Sequence, residues 1–251
     1  MDRPCPRPSA PSFETAGLEV RRDLLRVLSW NIHGGVGRDG RYDLARIVAL
    51  VQDHDPDIIA FQEVDSRGRS ESAAPLSILK EALGEHAAEA RTISAPDGHY
   101  GHAVISRIPL SGTSVCDLSF RTREPRCAIS AHIETSWGPL RLVTTHLGLS
   151  VWERRTQSAV LADLARQEEH LPCIVMGDFN DWFSFGWVRR RLREVLPVRT
   201  MERTFPASWP LLRLDRIYCG GRAAIVKSWT DARADGVSDH LPIVADISLA
   251  G

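Results

Sequence analysis

Polar residues stand at the ends of apolar runs in this chain, and this placement constrains its fold more than any other feature. Gly177-Asp178-Phe179-Asn180 closes one run, and Ser238-Asp239-His240 stands at the head of another. Carboxylate, amide and imidazole groups at the ends of buried strands lower stability unless something binds them. Because a metal ion and a phosphate group would bind all of them, the pattern predicts a ligand site where several strands end.

The same pattern recurs along the chain, and helical segments separate the runs. Any single case is ordinary, since strands commonly end where they reach solvent. Apolar residues at helical spacing predict three helices, over residues 42–54, 73–83 and 151–169. Strands are expected between residues 99 and 146 and near residues 173, 214, 224 and 243. Together these elements indicate a layered α/β fold. The other runs that end in a polar side chain are 27–31, 58–63, 142–146 and 174–178.

Two interpretations of the Asp178 segment remain open. If the strand continues, its period of two places Asp178 and Asn180 on one face and Phe179 on the other, with Gly177 allowing close approach of a ligand. Alternatively, the segment is a loop with an Asx-type turn. The first interpretation is favoured because the motif follows an apolar run.

Composition limits the size and the charge of the molecule. With 251 residues, 43% hydrophobic, the chain can bury one large core or two small ones. The formal net charge of -1 provides no global field that would attract nucleic acid. The arginine cluster at 189–193 is either a local basic patch or a solvated helix face. Five scattered cysteines argue against a disulfide framework or a zinc site, and they favour the cytoplasm. The proline-rich segment 1–21 is predicted to be a flexible tail, and no long apolar segment predicts membrane insertion.

Eight motifs occur in an order that resembles the endonuclease/exonuclease/phosphatase (DNase I-like) superfamily, and in particular a bacterial subgroup of unknown substrate. The resemblance covers residues 24–249. It implies a four-layered α/β/β/α sandwich, with two mixed sheets packed face to face and helices outside, and a single catalytic domain over 22–251. The motifs are Asn31 in Ser-Trp-Asn-Ile, Glu63 in Phe-Gln-Glu-Val, the segment from Gly101-His102 to Ser106-Arg107, Arg126, Thr145-His146, Gly177-Asp178-Phe179-Asn180, Leu214-Asp215-Arg216-Ile217 and Ser238-Asp239-His240.

The resemblance also implies roles for the matching residues. Glu63, Asn31 and Asp239 resemble metal ligands; oxygen donors without a cysteine cluster favour Mg²⁺ or Mn²⁺ over Zn²⁺. The residues that resemble catalytic groups are His240 oriented by Asp215, Asp178 with Asn180 as the pair that positions or deprotonates water, and His146 as a second imidazole that binds phosphate or protonates the leaving oxygen. Whether His240 or Asp178 takes the proton is left open.

Two further residues resemble substrate-binding groups. Arg126 matches an arginine beside the cleft of the family, although a surface pair with Glu124 is an equal alternative. His102 stands where many members carry Asn, so it is either a donor to the phosphate or a satisfied structural histidine.

The resulting functional hypothesis is a divalent-metal-dependent phosphoesterase that cleaves phosphodiester bonds, with nuclease-type activity as the leading interpretation. A lipid headgroup or a small molecule is the alternative substrate, since the net charge is close to zero. A non-catalytic scaffold is a minor alternative, because such a protein usually loses some of these residues. The expected partner is a phosphate-ester substrate, with nucleic acid as one candidate, and a monomer is the default.

Overall fold

Two six-stranded sheets form the centre of the molecule in a computed structural model that describes residues 24–69, 74–182 and 186–249. The first sheet has the order β11-β12-β1-β2-β4-β3 and is antiparallel except for the β1/β2 pair. Its strands are β1 (Leu25–Asn31), β2 (Ile58–Asp65), β3 (His86–Ala95), β4 (Gly98–Ser106), β11 (Ala224–Thr230) and β12 (Ile243–Ser248).

The second sheet has the order β5-β6-β7-β8-β10-β9, with β7 and β8 as its parallel pair. Both sheets are therefore mixed. The strands of the second sheet are β5 (Leu110–Asp117), β6 (Cys127–Thr135), β7 (Gly138–His146), β8 (Cys173–Asp178), β9 (Val198–Arg199) and β10 (Asp215–Gly220).

Four α-helices cover the outer faces of the sheets. Helices α1 (Leu44–His54) and α2 (Pro75–Leu83) share one apolar cluster with the first sheet. Helices α3 (Val151–Arg166) and α4 (Trp187–Leu192) share another with the second sheet. A third cluster fills the space between the two sheets. The predicted α/β/β/α sandwich is confirmed.

The continuous apolar runs arise because both faces of the central strands are buried. In β1, Val27 faces the cluster between the sheets and Leu28 faces the helices. In β2, Ala60 faces the cluster between the sheets and Phe61 faces the helices. A strand that is buried on both faces has no polar face to interrupt its sequence.

Helix boundaries lie close to the predicted ones, and local chemistry fixes them. Helix α1 begins after Asp43, whose carboxylate accepts hydrogen bonds from the backbone of Ala45 and Arg46. Helix α3 begins at a capping box formed by Ser150 and Glu153. Strand β3 was not predicted, because this edge strand is mostly half-buried and has little apolar alternation.

The predictions for the N-terminal tail and for the cysteines concern residues both outside and inside the described part of the chain. The predicted tail over residues 1–21 lies outside the described residues, as does Cys5. Within the described residues Cys116, Cys127, Cys173 and Cys219 are free thiols. None of the helices that the structure describes has the length and apolar character needed to cross a membrane.

Candidate active site

Three polar residues form a row across the end of the second sheet. Strand β7 ends in His146 and pairs in parallel with β8, so that His146 stands opposite Asp178. Strand β10 runs antiparallel to β8 and begins with Asp215, which is also opposite Asp178. The two strand ends that the sequence marks as polar therefore lie side by side with the first residue of β10, in what we call the polar row: His146, Asp178 and Asp215.

Asn31 connects this row with the first sheet. Its Nδ2 donates hydrogen bonds to Glu63 Oε1 at 2.9 Å and to Asp178 Oδ2 at 3.1 Å. Both acceptors are carboxylates, and Asn31 is buried. The ends of β1, β2 and β8 thus open into one pocket, as the sequence predicts.

Glu63 reaches this pocket because β2 contains a bulge. Phe61 pairs with Ala103 and Val64 pairs with Gly101, so one extra residue of β2 is fitted opposite β4. Glu63 itself has a positive φ of 58°. In a regular strand Glu63 would point toward the helices, on the same side as Phe61. The bulge turns its carboxylate to the side of Asn31.

His240 and Asp215 form a buried pair at the other end of the row. His240 Nδ1 lies 2.8 Å from Asp215 Oδ2, and the ring of Phe205 lies 4.8 Å from the imidazole, centroid to centroid. Burial alone lowers the pKa of His240, but the carboxylates of Asp215 and Asp178 outweigh it and raise that pKa to about 10. His240 is therefore an imidazolium that donates to Asp215 from Nδ1 and places Nε2 at 3.9 Å from Asp178 Oδ2.

Asp178 is held in an Asx-type turn, not in a continued strand. Strand β8 ends at Asp178, whose Oδ1 accepts from the backbone N–H of Asn180 at 2.9 Å. Asn180 adopts a left-handed conformation with φ of 48°, and its Nδ2 donates to the carbonyl of Leu147 at 2.9 Å. The predicted period of two is therefore wrong beyond Asp178, although Phe179 is buried on the helix side as expected.

Gly177 has a structural role. A Cβ at this position would lie 1.9 Å from the carbonyl oxygen of Thr145 in β7, and φ is 150°. The close approach is to the neighbouring strand, so the structure corrects the expectation that Gly177 makes room for a ligand.

Burial raises the pKa of Asp178 to about 6, and repulsion from the Asp215 carboxylate acts in the same direction. Both groups are almost fully buried. Oδ1 of Asp215 is also buried with no hydrogen-bond partner among the described residues. Two buried carboxylates, one of them incompletely satisfied, are unfavourable in the absence of a bound ligand.

His146 is neutral and has a defined tautomer. Arg126 Nη1 lies 3.1 Å from His146 Nδ1, and because a guanidinium only donates, Nδ1 is the acceptor and Nε2 carries the proton. That Nε2 lies 3.6 Å from Asp178 Oδ2. Burial, followed by the positive charge of Arg126, lowers the pKa of His146 well below its usual value. Arg126 also pairs with Glu124 at 3.3 Å. Because Arg126 is buried, the expectation of a surface arginine is wrong, and its contact with substrate stays a prediction.

His102 lies in β4, near Arg126. It is buried, and its Nδ1 lies 3.8 Å from Cys127 Sγ. Burial lowers the pKa of His102 to about 4. Its Nε2 is buried with no hydrogen-bond partner among the described residues, so His102 is not a satisfied structural histidine, and its role as a donor to the phosphate stays a prediction.

Sequence reasoning missed two aromatic residues of the site, Phe205 and Tyr100. Burial raises the pKa of the Tyr100 phenol, and the carboxylate of Glu63 adds to the rise. Tyr100 directly precedes the Gly101-His102 motif, so its position was a usable signal. Phe205 lies in a segment between strands, and nothing in its sequence points to His240.

Two groups of side chains in the described residues could hold a cation. Asp178, Asp215 and His240 offer ligand atoms within 4.8 Å of one another, but His240 already donates a proton there. Glu63, Asn31 and Asp239 offer oxygen atoms, and the two carboxylates are only half-buried. Ser238 Oγ lies 2.7 Å from the Asn31 carbonyl and 3.4 Å from Asp239 Oδ1, which brings Asp239 to this end of the pocket. The second group suits a hard divalent ion.

Comparisons with known proteins agree with this architecture. The model of the Endonuclease/Exonuclease/phosphatase family matches residues 28–240. The uncharacterized protein YbhP of Escherichia coli (strain K12) is 30% identical over 259 residues, which cover 92% of this chain and 99% of YbhP.

Solved structures share the fold at lower identity. An endonuclease/exonuclease/phosphatase from Beutenbergia cavernae DSM 12333 superposes with a TM-score of 0.76 at 22% identity, covering 92% of this chain and 72% of that chain. The mannosyl-6-phosphatase Bt3783 of Bacteroides thetaiotaomicron VPI-5482 gives a TM-score of 0.65 at 18% identity, covering 89% and 99%. With the family model matched over most of its length, this chain belongs to the endonuclease/exonuclease/phosphatase family, whose members hydrolyse phosphate esters.

Proposed function

We propose that this protein is a divalent-metal-dependent phosphodiesterase of the nuclease type. The observation that carries the proposal is the continuous polar network at the ends of both sheets. In it Asn31 joins Glu63 to Asp178, while a charged and a neutral imidazole flank Asp178 on its two sides. Hydrolysis of a phosphate ester needs positive charge for the phosphate oxygens and an acceptor for the proton of water. The network offers both within one pocket.

Asp178 is the proposed base. Each of its oxygens accepts one hydrogen bond, from Asn180 on Oδ1 and from Asn31 on Oδ2. Since a carboxylate oxygen can accept two, a position for water remains. His240 fits the role of a charged donor better than that of the base, because the carboxylates of Asp215 and Asp178 raise its pKa. It would instead donate from Nε2 to a phosphate oxygen, with Asp215 fixing its orientation.

Arg126 and His146 would bind the phosphate from the opposite side of Asp178. As a neutral imidazole, His146 can donate a hydrogen bond from Nε2, but it has no dissociable proton to supply at ordinary pH. Its proposed role is therefore phosphate binding and not protonation of the leaving oxygen. When bound by Glu63, Asn31 and Asp239, Mg²⁺ or Mn²⁺ would neutralise charge on the phosphate and on the leaving oxygen.

A lipid headgroup or a small phosphate ester is the alternative substrate. The formal net charge of -1 supports this alternative, since a general polyanion binder usually carries excess positive charge. A related fold in the mannosyl-6-phosphatase shows that this architecture can serve a small phosphate ester.

Purified protein with Mg²⁺, Mn²⁺ or a chelator tests the proposal. The substrates are single-stranded DNA, abasic duplex, RNA, a sphingomyelin-like lipid and a chromogenic phosphodiester. We expect turnover of nucleic acid and of the chromogenic diester that the chelator abolishes. Turnover of the lipid without turnover of any nucleic acid would reject the nuclease activity, and turnover in the chelator would reject the metal.

Asp178→Asn tests the base, with Asp163→Asn as the matched control because the Asp163 carboxylate is exposed on α3. We expect Asp178→Asn to lower kcat by at least about 10²-fold, in the range of general base catalysis, while the control retains wild-type activity. Equal activity of the two variants would remove Asp178 from the mechanism.

A further inference from the structure

A groove lined by four arginines and a tryptophan lies at the end of the second sheet where β6 begins and β7 ends, the same end as the polar row. Its volume is about 840 Å³, within the range of ligand-binding clefts. One wall is the segment that precedes β6, and the other is the outer face of α3 together with one turn of α4. Its principal side chains are Phe120, Arg121, Arg123, Trp152, Arg155 and Arg191, and we call this surface the Arg-Trp groove.

The arginines of the Arg-Trp groove lack carboxylate partners among the described residues, since none of them is found in a salt bridge there. Some exposed arginines elsewhere are paired, since Arg38 lies 2.7 Å from Asp235 and Arg233 lies 2.7 Å from Asp53, whereas Arg222 is exposed and, like the groove arginines, has no ion pair among the described residues. Although the chain as a whole has a net charge of -1, this groove concentrates unpaired positive charge. Such a surface suits a ligand that carries several negative charges.

Exposed indole rings stand among these arginines. The side chain of Trp152 is 65% exposed and that of Trp187 is 39% exposed. The Arg155 guanidinium lies 4.5 Å from the ring centroid of Trp187 and 5.9 Å from that of Trp152. A flat apolar ring next to a guanidinium is the combination on which unpaired nucleic acid bases stack while their phosphates meet the positive charge.

Two chain segments connect the groove with the polar row: the one that follows His146 and the one that leads to Arg126. Arg123 precedes Arg126 by three residues, so their Cα atoms lie within about 11 Å of each other. Gln157 of α3 accepts from the backbone of Gly148 at 2.9 Å and donates to the carbonyl of Leu118 at 3.0 Å. It thereby clamps the segment after His146 to the segment that leads to Arg126. The chain segments that follow His146 and precede Arg126 are therefore held together next to the groove.

We propose that the Arg-Trp groove binds single-stranded nucleic acid that extends from the scissile phosphate on the His146 side. The substrate is then an unpaired strand, because stacking on Trp152 requires bases that are free of pairing. The role as a substrate site rests on the proposed function, whereas strand binding by the groove is measurable without turnover. A membrane fits less well, because Trp152 lines a concave surface together with the arginines.

Fluorescence anisotropy of a labelled single-stranded oligonucleotide, with chelator present to prevent cleavage, tests the inference. We expect Trp152→Ala to weaken binding about tenfold, as loss of one stacked base does. Arg155→Ala should weaken binding and reduce the slope of log K against log salt by about 0.7, the contribution of one phosphate contact on a single strand. Arg155→Lys should restore the slope. Duplex DNA and anionic phospholipid vesicles should compete poorly.

Arg222→Ala is the matched control. Arg222 is exposed and lies just beyond Gly220, at the end of β10 opposite to Asp215, and it has no ion pair among the described residues. We expect it to bind the oligonucleotide as the wild type does. Thermal melting of every variant separates loss of binding from loss of folding.

Three results would overturn the inference: equal losses for Arg155→Ala and Arg222→Ala, duplex binding as tight as single-strand binding, or groove-dependent binding of vesicles but not of oligonucleotides. Groove-dependent oligonucleotide binding by a protein that hydrolyses no phosphate ester would reject the proposed function and leave the groove assignment standing. Hydrolysis of the chromogenic diester without groove-dependent binding would reject only the groove.

Discussion

Two histidine–aspartate pairs in this molecule look alike and differ in what surrounds them. His240 Nδ1 lies 2.8 Å from Asp215, and His54 Nε2 lies 3.0 Å from Asp231. Both pairs have low exposure and an aromatic ring beside the imidazole. Distance and burial alone would not distinguish them.

The difference lies in the other hydrogen-bond partners of the two aspartates. Asp231 accepts hydrogen bonds from Arg233 Nε and Nη2 and from the Arg233 backbone, so both of its oxygens are satisfied on the protein. Asp215 has one buried oxygen without any partner in the described residues, and Asp178 brings a second carboxylate close to His240. The pair at His54 is a completed structural contact. The pair at His240 keeps unused bonding capacity, which supports its proposed role in binding a ligand.

Replacement of the two histidines should give the largest contrast. We expect His240→Ala to lower kcat on a phosphodiester by about 10²–10³-fold, the range for loss of one donor to the charge that develops in the transition state. His54→Ala should change kcat by less than about twofold, because His54 is at the end of α1 away from the pocket. Steady-state kinetics at saturating Mg²⁺ measures both. Similar losses of kcat in the two variants would show that the two histidine–aspartate pairs do not differ in function.

His102 extends the comparison to a buried histidine without a carboxylate partner. Its pKa is lowered from 6.5 to about 4, so between these values the unfolded chain binds more protons than the folded one. The stability contributed by neutral His102 is complete above pH 6.5 and is lost as the pH falls toward 4. Relative to His102→Asn, the wild type should lose about 3 kcal/mol across this window.

Urea unfolding at several pH values measures this difference. His102→Asn is the suitable reference because the amide does not titrate in this range. Parallel stability curves for the two proteins between pH 4 and 6.5 would contradict the buried neutral state of His102.

The smallest expected effects come from replacing the two aspartates. One replacement should lower activity, and the other should lower stability. Asp215→Asn should lower kcat about 10–100-fold, since it weakens the orientation of His240. Asp231→Asn should leave kcat unchanged and lower the free energy of unfolding by about 1 kcal/mol, because it weakens charge-assisted hydrogen bonds to Arg233. Kinetics and chemical denaturation of both variants give the four values. A loss of activity in Asp231→Asn would show that the second pair also supports the pocket.

Much of the site was predictable because polar residues at the ends of buried strands are costly and therefore informative. His146 and Asp178 were marked in this way, whereas Asp215 was assigned through the resemblance, and the structure places all three in one row. Which strands are neighbours was not predictable from the residues themselves, since pairing between distant strands leaves no local signal. The order of motifs supplied that information through the resemblance to a family.

Other features depend on backbone geometry that one sequence does not display. The left-handed conformation of Asn180 replaced the expected continuation of β8, because the Asp178 carboxylate captures the backbone N–H two residues on. Strand β3 pairs at an edge with little apolar alternation. Phe205 reaches His240 only through tertiary packing.

The bulge in β2 has a consequence for how activity can be lost. The four layers are held together by apolar faces that do not include Glu63. Loss of the bulge after Phe61 would therefore leave the sandwich intact, but the Glu63 carboxylate would face the helices. A change of one residue in strand length could then turn an enzyme into an inert relative with the same outline. A sequence comparison that checks only for the presence of the glutamate would not detect this kind of inactivation.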